Sequence, residues 1–125
     1  MAMTASRADV DVSPDETCAL SAAACMFRSL GEPARLAILR HLALGEHKVV
    51  DLTAHLGLAQ STVSAHLACL RDCGLVTSRP QGRASLWSLT HPADLLAVLA
   101  AAERLLAATG DAVALCPTYG DRGGR

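Results

Sequence analysis

Residues 49–76, VVDLTAHLGLAQSTVSAHLACLRDCGLV, decide the fold. A short helical run fits from Val50 to Leu56 and stops at Gly57; a second fits from Gln60 to Cys73 and stops at Gly74. Glycine directly after the last periodic residue is a common helix terminator, because it takes the left-handed backbone without a Cβ clash. Only Gly57-Leu58-Ala59 joins the two runs, the short connection of a helix-turn-helix pair. At about 100° per residue, Val63, Leu67 and Leu70 fall within about 60° of one another and form a core face. Ser61, Ser64, Ala65 and Ala68 lie roughly opposite, on a face left open.

Upstream, Ser13-Pro14-Asp15-Glu16 is a helix start, with Ser as N-cap, Pro at the first helical position and Glu three residues after the cap. That helix runs to Leu30 and stops at Gly31. Glu32-Pro33 opens a second helix, with Leu36, Ile38, Leu39 and Leu42 at helical spacing and Gly45 as its stop. Downstream of Gly74 the period changes. Leu75–Arg79 and Ala84–Leu89 are β-tolerant runs around the turn signal Pro80-Gln81-Gly82. His91-Pro92 starts a last helix with one apolar stripe, Leu95, Val98, Leu99, Ala102, Leu105 and Leu106, ending near Gly110. The second helix of a helix-turn-helix pair can lie in the DNA major groove, and a following hairpin can touch phosphate as a wing. The predicted fold is mainly α with a small β-hairpin, a winged helix-turn-helix. It occupies 13–109, between flexible tails at 1–12 and 110–125, the latter carrying Cys116.

The chain has 125 residues, 51% hydrophobic and 2% aromatic, which suits one domain of packed helices with a Leu, Val and Ala core. A net charge of −1 excludes a polycationic coat protein and a highly charged disordered chain. The sum hides a pattern. From Arg28 to Arg83, seven basic residues stand against four acidic ones, a net of +3 between acidic or balanced ends. That distribution predicts salt-sensitive DNA binding with little non-specific affinity. No stretch approaches 18 uninterrupted apolar residues, and the acidic N-terminus is unlike a secretory leader, so a cytoplasmic location with no membrane partner is expected. Five cysteines there read as reduced thiols.

Gln60, Ser61, Thr62 and Ser64 are the candidates for base edges and phosphates, and Arg79 and Arg83, near the hairpin tip, for phosphates. The plainer alternative makes Gln60, Ser61 and Ser64 caps and solubilising groups. Cys69 and Cys73 are four apart on the fourth helix, their Cβ atoms about 5–6 Å apart, on a flank shared with His66. Two thiolates so placed can close on one soft metal ion, whereas helical geometry makes a direct disulfide awkward. Their alternative is a pair of small buried hydrophobes. His66 reads as a helix-packing residue, and so does Cys25, beside Ala22, Ala23 and Ala24. The five histidines, His41, His47, His55, His66 and His91, read as scattered, with no zinc cluster.

Leu30-Gly31-Glu32-Pro33-Ala34-Arg35-Leu36-Ala37-Ile38-Leu39 and the run from Ser61 to Val76 resemble the ArsR/SmtB-type repressors, small dimeric winged-helix metal sensors. The resemblance extends from about Phe27 to Leu105, with Glu32 where the family usually has Asp. One family site, a Cys-x-Cys at the start of the third helix, is absent, since Lys48 and Val50 stand there. A site of Asp, His and Glu across the last helix is absent too, because Asp94 to Ala108 holds Glu103 but no histidine. What remains resembles the CmtR-type subgroup, cadmium and lead sensors. That likeness implies Cys69, Cys73 and the tail's Cys116 as ligands, with Cys18 as an auxiliary. It also implies a homodimer through the first and last helices, with Leu95, Leu99, Ala102 and Leu106 at the contact, bound to palindromic operator DNA. Cd(II) or Pb(II) is the expected inducer, ahead of As(III) and Zn(II); Mg(II) and Ca(II) do not suit thiolates.

Two other readings stay open. The same cysteines could sense oxidants or sulfur species through thiol chemistry. A metallochaperone or thiol enzyme is disfavoured, because the chain lacks an activating Cys-x-x-Cys, a Cys–His pairing at recognisable spacing and a phosphate-binding loop. No enzymatic activity is predicted.

Overall fold

The computed structural model describes residues 13–115, so the expected tail at 1–12 and everything from Cys116 onward lie outside the described residues. Those residues form α1 (Pro14–Leu30), α2 (Pro33–Leu42), β1 (His47–Lys48), α3 (Val49–Leu56), α4 (Gln60–Asp72), β2 (Val76–Gln81), β3 (Ala84–Leu89) and α5 (Pro92–Ala108). This is the winged helix-turn-helix order. Local chemistry sets the helix ends. The Ser13 hydroxyl accepts from the Glu16 N–H at 3.0 Å, and the Glu16 carboxylate accepts from the Ser13 N–H at 3.4 Å, the capping box read from the sequence. The Glu32 carboxylate caps α2 by accepting from the Ala34 and Arg35 amides. At the end of α4, Leu75 N–H donates to the Leu70 carbonyl and Gly74 N–H to the Arg71 carbonyl, both at 2.9 Å. Gly74 has φ 79°, a left-handed setting that costs a residue with a Cβ roughly 1–2 kcal/mol. It turns the chain from α4 directly into the hairpin.

The sheet order is β1-β3-β2, antiparallel throughout. The β2–β3 register closes at Gln81 opposite Ala84, leaving Gly82-Arg83 as a two-residue loop, and Gly82 at φ 62° supplies the positive angle such a loop requires. The turn expected at Pro80-Gln81-Gly82 is therefore displaced toward the C-terminus. Pro80 lies within β2, tolerated because β2 is an edge strand. Arg79 consequently stands in the strand opposite Leu86, and of the two wing arginines only Arg83 is at the tip. The third strand, β1, pairs His47 with Trp87 and Lys48 with Leu86. Two residues carry no periodicity, so the sequence gives no sign of it.

Ile38, Leu39, Leu52, Val63, Leu67 and Leu70 are fully buried at the centre of the core. The apolar face predicted for α4 is thus entirely inside. Leu95 and Leu99 of α5 join the same core, which corrects their expected place at a dimer contact: one helical turn apart, they share the face that α5 lays on its own protomer. Other large apolar residues on α1 and α5 stay uncovered, with Leu20 58%, Phe27 61% and Leu105 68% exposed.

Three of the five histidines, expected to be scattered, gather. His41 on α2, His47 on β1 and His55 on α3 gather with ring centres 5.0 to 6.1 Å apart. His41 and His55 stack with planes 17° apart, and the His47 Nδ1–H donates to the Gly45 carbonyl at 2.8 Å. Among the described residues, no three His, Cys, Asp or Glu side chains are set to hold a metal ion. Burial, then the charges of His55, His47 and Arg40, pushes the His41 pKa below its ordinary 6.5. The unfolded chain therefore takes up this proton more readily than the folded one, and stability falls as pH drops below the ordinary value. His41→Asn should flatten that dependence in urea unfolding midpoints taken between about pH 5 and 7.5. An unaltered slope would contradict the assignment.

Candidate nucleic-acid interface and thiolate site

The N-cap of α4 is Ala59, which offers no side-chain acceptor. Gln60, Ser61, Thr62 and Ser64 are exposed and none of them is the N-cap, a placement that suits a solubilising role as well as contact with DNA. The first-turn amides, at the positive end of the helix dipole, are left for water or an anion. Beside them, a cleft of about 340 Å³ separates the helix starts from the wing, lined by Lys48, Gln60, Arg83 and Ser85 among others. Two cations thus flank one concavity. Arg79 is differently placed: its Nε–H and Nη2–H donate to the two Glu46 carboxylate oxygens at 3.0 and 2.9 Å. That guanidinium holds the Glu46 carboxyl below its ordinary range. The partners are 33 residues apart, a pairing that neither residue's local sequence signals. Arg83→Ala should weaken binding to every duplex and lower the slope of log affinity against log salt by about 0.9. Fluorescence anisotropy across a salt series reads that slope; an unchanged value would remove Arg83 from the phosphate contacts.

On the flank of α4, Cys69 and Cys73 are half-buried and face α1. The buried Ser29 supplies a hydroxyl 2.9 Å from Cys73 Sγ and 3.8 Å from Cys69 Sγ. Cys25 Sγ lies 3.4 Å from Cys73 Sγ. This corrects the reading of Cys25 as packing: it is exposed, and being four residues before Ser29 it shares the α1 face that meets α4. The hydrogen bond and charge of Cys73 push the Cys25 thiol up, with burial adding and Arg28 opposing. Cys18 is exposed, seven residues or about 10 Å of helix away from Cys25, and is not brought to this cluster. Cys116 lies outside the described residues.

The donor set is sulfur with one hydroxyl, which fits a soft cation and not a hard one. Two thiolates on a tetrahedral ion sit about 3.8 Å apart at the zinc–sulfur bond length of about 2.3 Å and further apart on a larger ion, so the Cys25 and Cys73 sulfurs, at 3.4 Å, need only a small outward shift to share one. In the structure the Ser29 hydroxyl is shared by the Cys69 and Cys73 sulfurs. Arg35 of α2 secures the neighbourhood, its Nε–H donating to the Ser29 carbonyl at 2.8 Å and its Nη1 lying 3.3 Å from His66 Nδ1. His66 Nε2 faces the Glu32 carboxylate at 3.7 Å. His66 thus braces α4 against α2 through polar contacts, where packing was the expectation. A cleft of about 540 Å³ opens over the cluster, with Arg28 and Arg35 on its walls.

The family profile "Bacterial regulatory protein, arsR family" matches residues 32–78, from the cap of α2 into the wing. A "Probable mercury resistance operon repressor" of Streptomyces lividans is 38% identical over 94 residues, covering 74% of this chain and 72% of its own. The HTH-type transcriptional regulator CmtR of Mycobacterium tuberculosis is 46% identical over 69 residues, 55% of this chain and 58% of its own, so the chain spans little more than half of that relative. Among solved structures, a homodimeric winged helix-turn-helix DNA-binding domain from Mycobacterium bovis superposes with a TM-score of 0.65 at 29% identity, over 73% of this chain and 86% of that one.

Proposed function

The chain belongs to the arsR family of bacterial regulatory proteins, and from that premise we propose a repressor that lets go of its operator when thiolates on α4 capture a soft cation. It is a DNA-binding transcriptional regulator rather than an enzyme. One observation carries the proposal: Cys69 rides on, and Cys73 caps, the same helix that presents Gln60, Ser61 and Ser64 outward. The regulator works as a cytoplasmic homodimer, with two copies of α4 in successive major grooves of a palindromic site, about 34–36 Å apart. Support for the dimer comes from the uncovered Leu20, Phe27 and Leu105 on α1 and α5, and from the homodimeric state of the Mycobacterium bovis neighbour.

Cd(II) or Pb(II) is the proposed inducer, held by Cys69, Cys73 and the tail's Cys116. The mercury repressor among its relatives favours the same class of soft cation. When bound, the cation supplies a bond strong enough to replace the thiol hydrogen bonds at Ser29. The residues do the rest. Cys69 and Cys73 give up their protons, their flank of α4 is drawn out of register with α1, and the groove-facing residues lose their fit to the operator. Coupling of about 1–3 kcal/mol corresponds to a roughly 5–150-fold loss of affinity. Operator selected from a random duplex pool, titrated with the full chain before and after one Cd(II) per subunit, should show that loss. Cys69→Ser should keep metal-free affinity and lose the response. Unchanged operator affinity at full Cd(II) occupancy would overturn the proposal.

A further inference from the structure

Cys25 stands outside the ligand set just proposed, yet the fold places its sulfur 3.4 Å from that of Cys73. We propose that Cys25 is itself a ligand: the three sulfurs are not set around one point in the metal-free chain, and Cys25 of α1 closes with Cys69 of α4 and its C-cap Cys73 on a soft cation held within each protomer. This rests on the reading of α4 as a thiolate sensor and names a further residue of its site.

Three features of the cluster support the assignment. Cys25 is exposed, so its sulfur is free to move toward a third atom without opening the core. The cleft of about 540 Å³ that it lines together with Cys69 and Cys73 reaches solvent, which gives an ion its way in. A divalent cation on three thiolates carries one net negative charge, and Arg28 and Arg35 stand on the same walls to offset it. The opposing group is Asp72, whose carboxylate is paired with Arg71 at 4.0 Å. Each ligating cysteine exchanges an S–H proton for a metal–sulfur bond, with the protons released to solvent, so no oxidant or reductant enters.

A consequence follows for signalling. Ligands on α4 and the tail alone would act on the DNA-reading helix. A ligand on α1 also ties that helix to the element whose Leu20 and Phe27 lie uncovered, so ion capture fixes α4 relative to the proposed dimer contact. Ser29, four residues after Cys25 and bonded to Cys73, holds the two helices in reach beforehand.

The test uses the full chain under a thiol reductant, titrated with Cd(II) alone against a chromophoric chelator while the ultraviolet thiolate–metal band is recorded. Cys25→Ser should reduce the band per bound ion and weaken binding by more than the ~10–100-fold that loss of an outer-shell partner costs. Ser29→Ala removes a neighbour but no sulfur, and should leave the band per ion at its wild-type value. Cys25→Ser with a wild-type band and affinity, while Cys69→Ser loses both, would overturn the Cys25 assignment and leave the α4 sensor standing. If Cys69→Ser also keeps both, the sensor reading fails with it. Because Cys25 is exposed, the variant's far-ultraviolet circular dichroism should match wild type, which separates ligand loss from misfolding.

Discussion

Burial of Val63, Leu67 and Leu70 fixes the rotation of α4, and everything the protein does depends on that rotation. All three are fully buried against Ile38, Leu39 and Leu52. Each such side chain contributes roughly 1.5–3 kcal/mol on leaving water, so turning the helix to expose them is costly. With one edge of the cylinder committed to the core, the others have no choice. Gln60, Ser61 and Ser64 point to solvent, and Cys69 and Cys73 point at the C-terminal half of α1. A rigid helix holding both faces cannot shift at its thiol flank without shifting its groove face too.

The joint between α1 and α4 is polar, in contrast to that core. Arg35 is its hub, donating to the Ser29 carbonyl and lying beside His66, while the Ser29 hydroxyl reaches both α4 cysteines. Thiol hydrogen bonds are weak, so this joint can be remade at little cost, whereas the core on the other side of α4 cannot. Weakness at that place is what a switch needs: a two-state element whose balance a ligand can tip. Elsewhere charge is kept quiet. The Arg79–Glu46 pair leaves Arg83 and Lys48 as the cations beside the wing cleft, in keeping with a chain whose net charge is only −1.

Much of this was legible in the sequence because it is local. The capping box at Ser13 and Glu16, the stop at Gly74, the core stripe on α4 and the hairpin all follow from residues within a few positions of one another. The same holds for Cys69 and Cys73, whose spacing of four defines a common flank. What sequence reasoning missed is long-range. Cys25 looked like packing because its neighbours are alanines, and only the crossing of α1 over α4, 48 residues on, gives it Cys73 as a partner. The trio of His41, His47 and His55 comes from three elements converging, and Arg79 meets Glu46 across the sheet edge. An apolar stripe does not say which body covers it, and Leu95 and Leu99 turn to the core of their own protomer. Pro80 suggested a turn, but an edge strand accepts proline, and Gly82 made the turn instead.

If α4 links thiolates to DNA, the link must run in both directions, since coupling between two sites is one free energy shared by both. The decisive measurement is the affinity of the full chain for Cd(II), by chelator competition, with and without saturating operator duplex. The account predicts that operator weakens Cd(II) binding by the same factor, roughly 5–150-fold, by which Cd(II) weakens operator binding. An identical Cd(II) affinity for free and DNA-bound protein would contradict it.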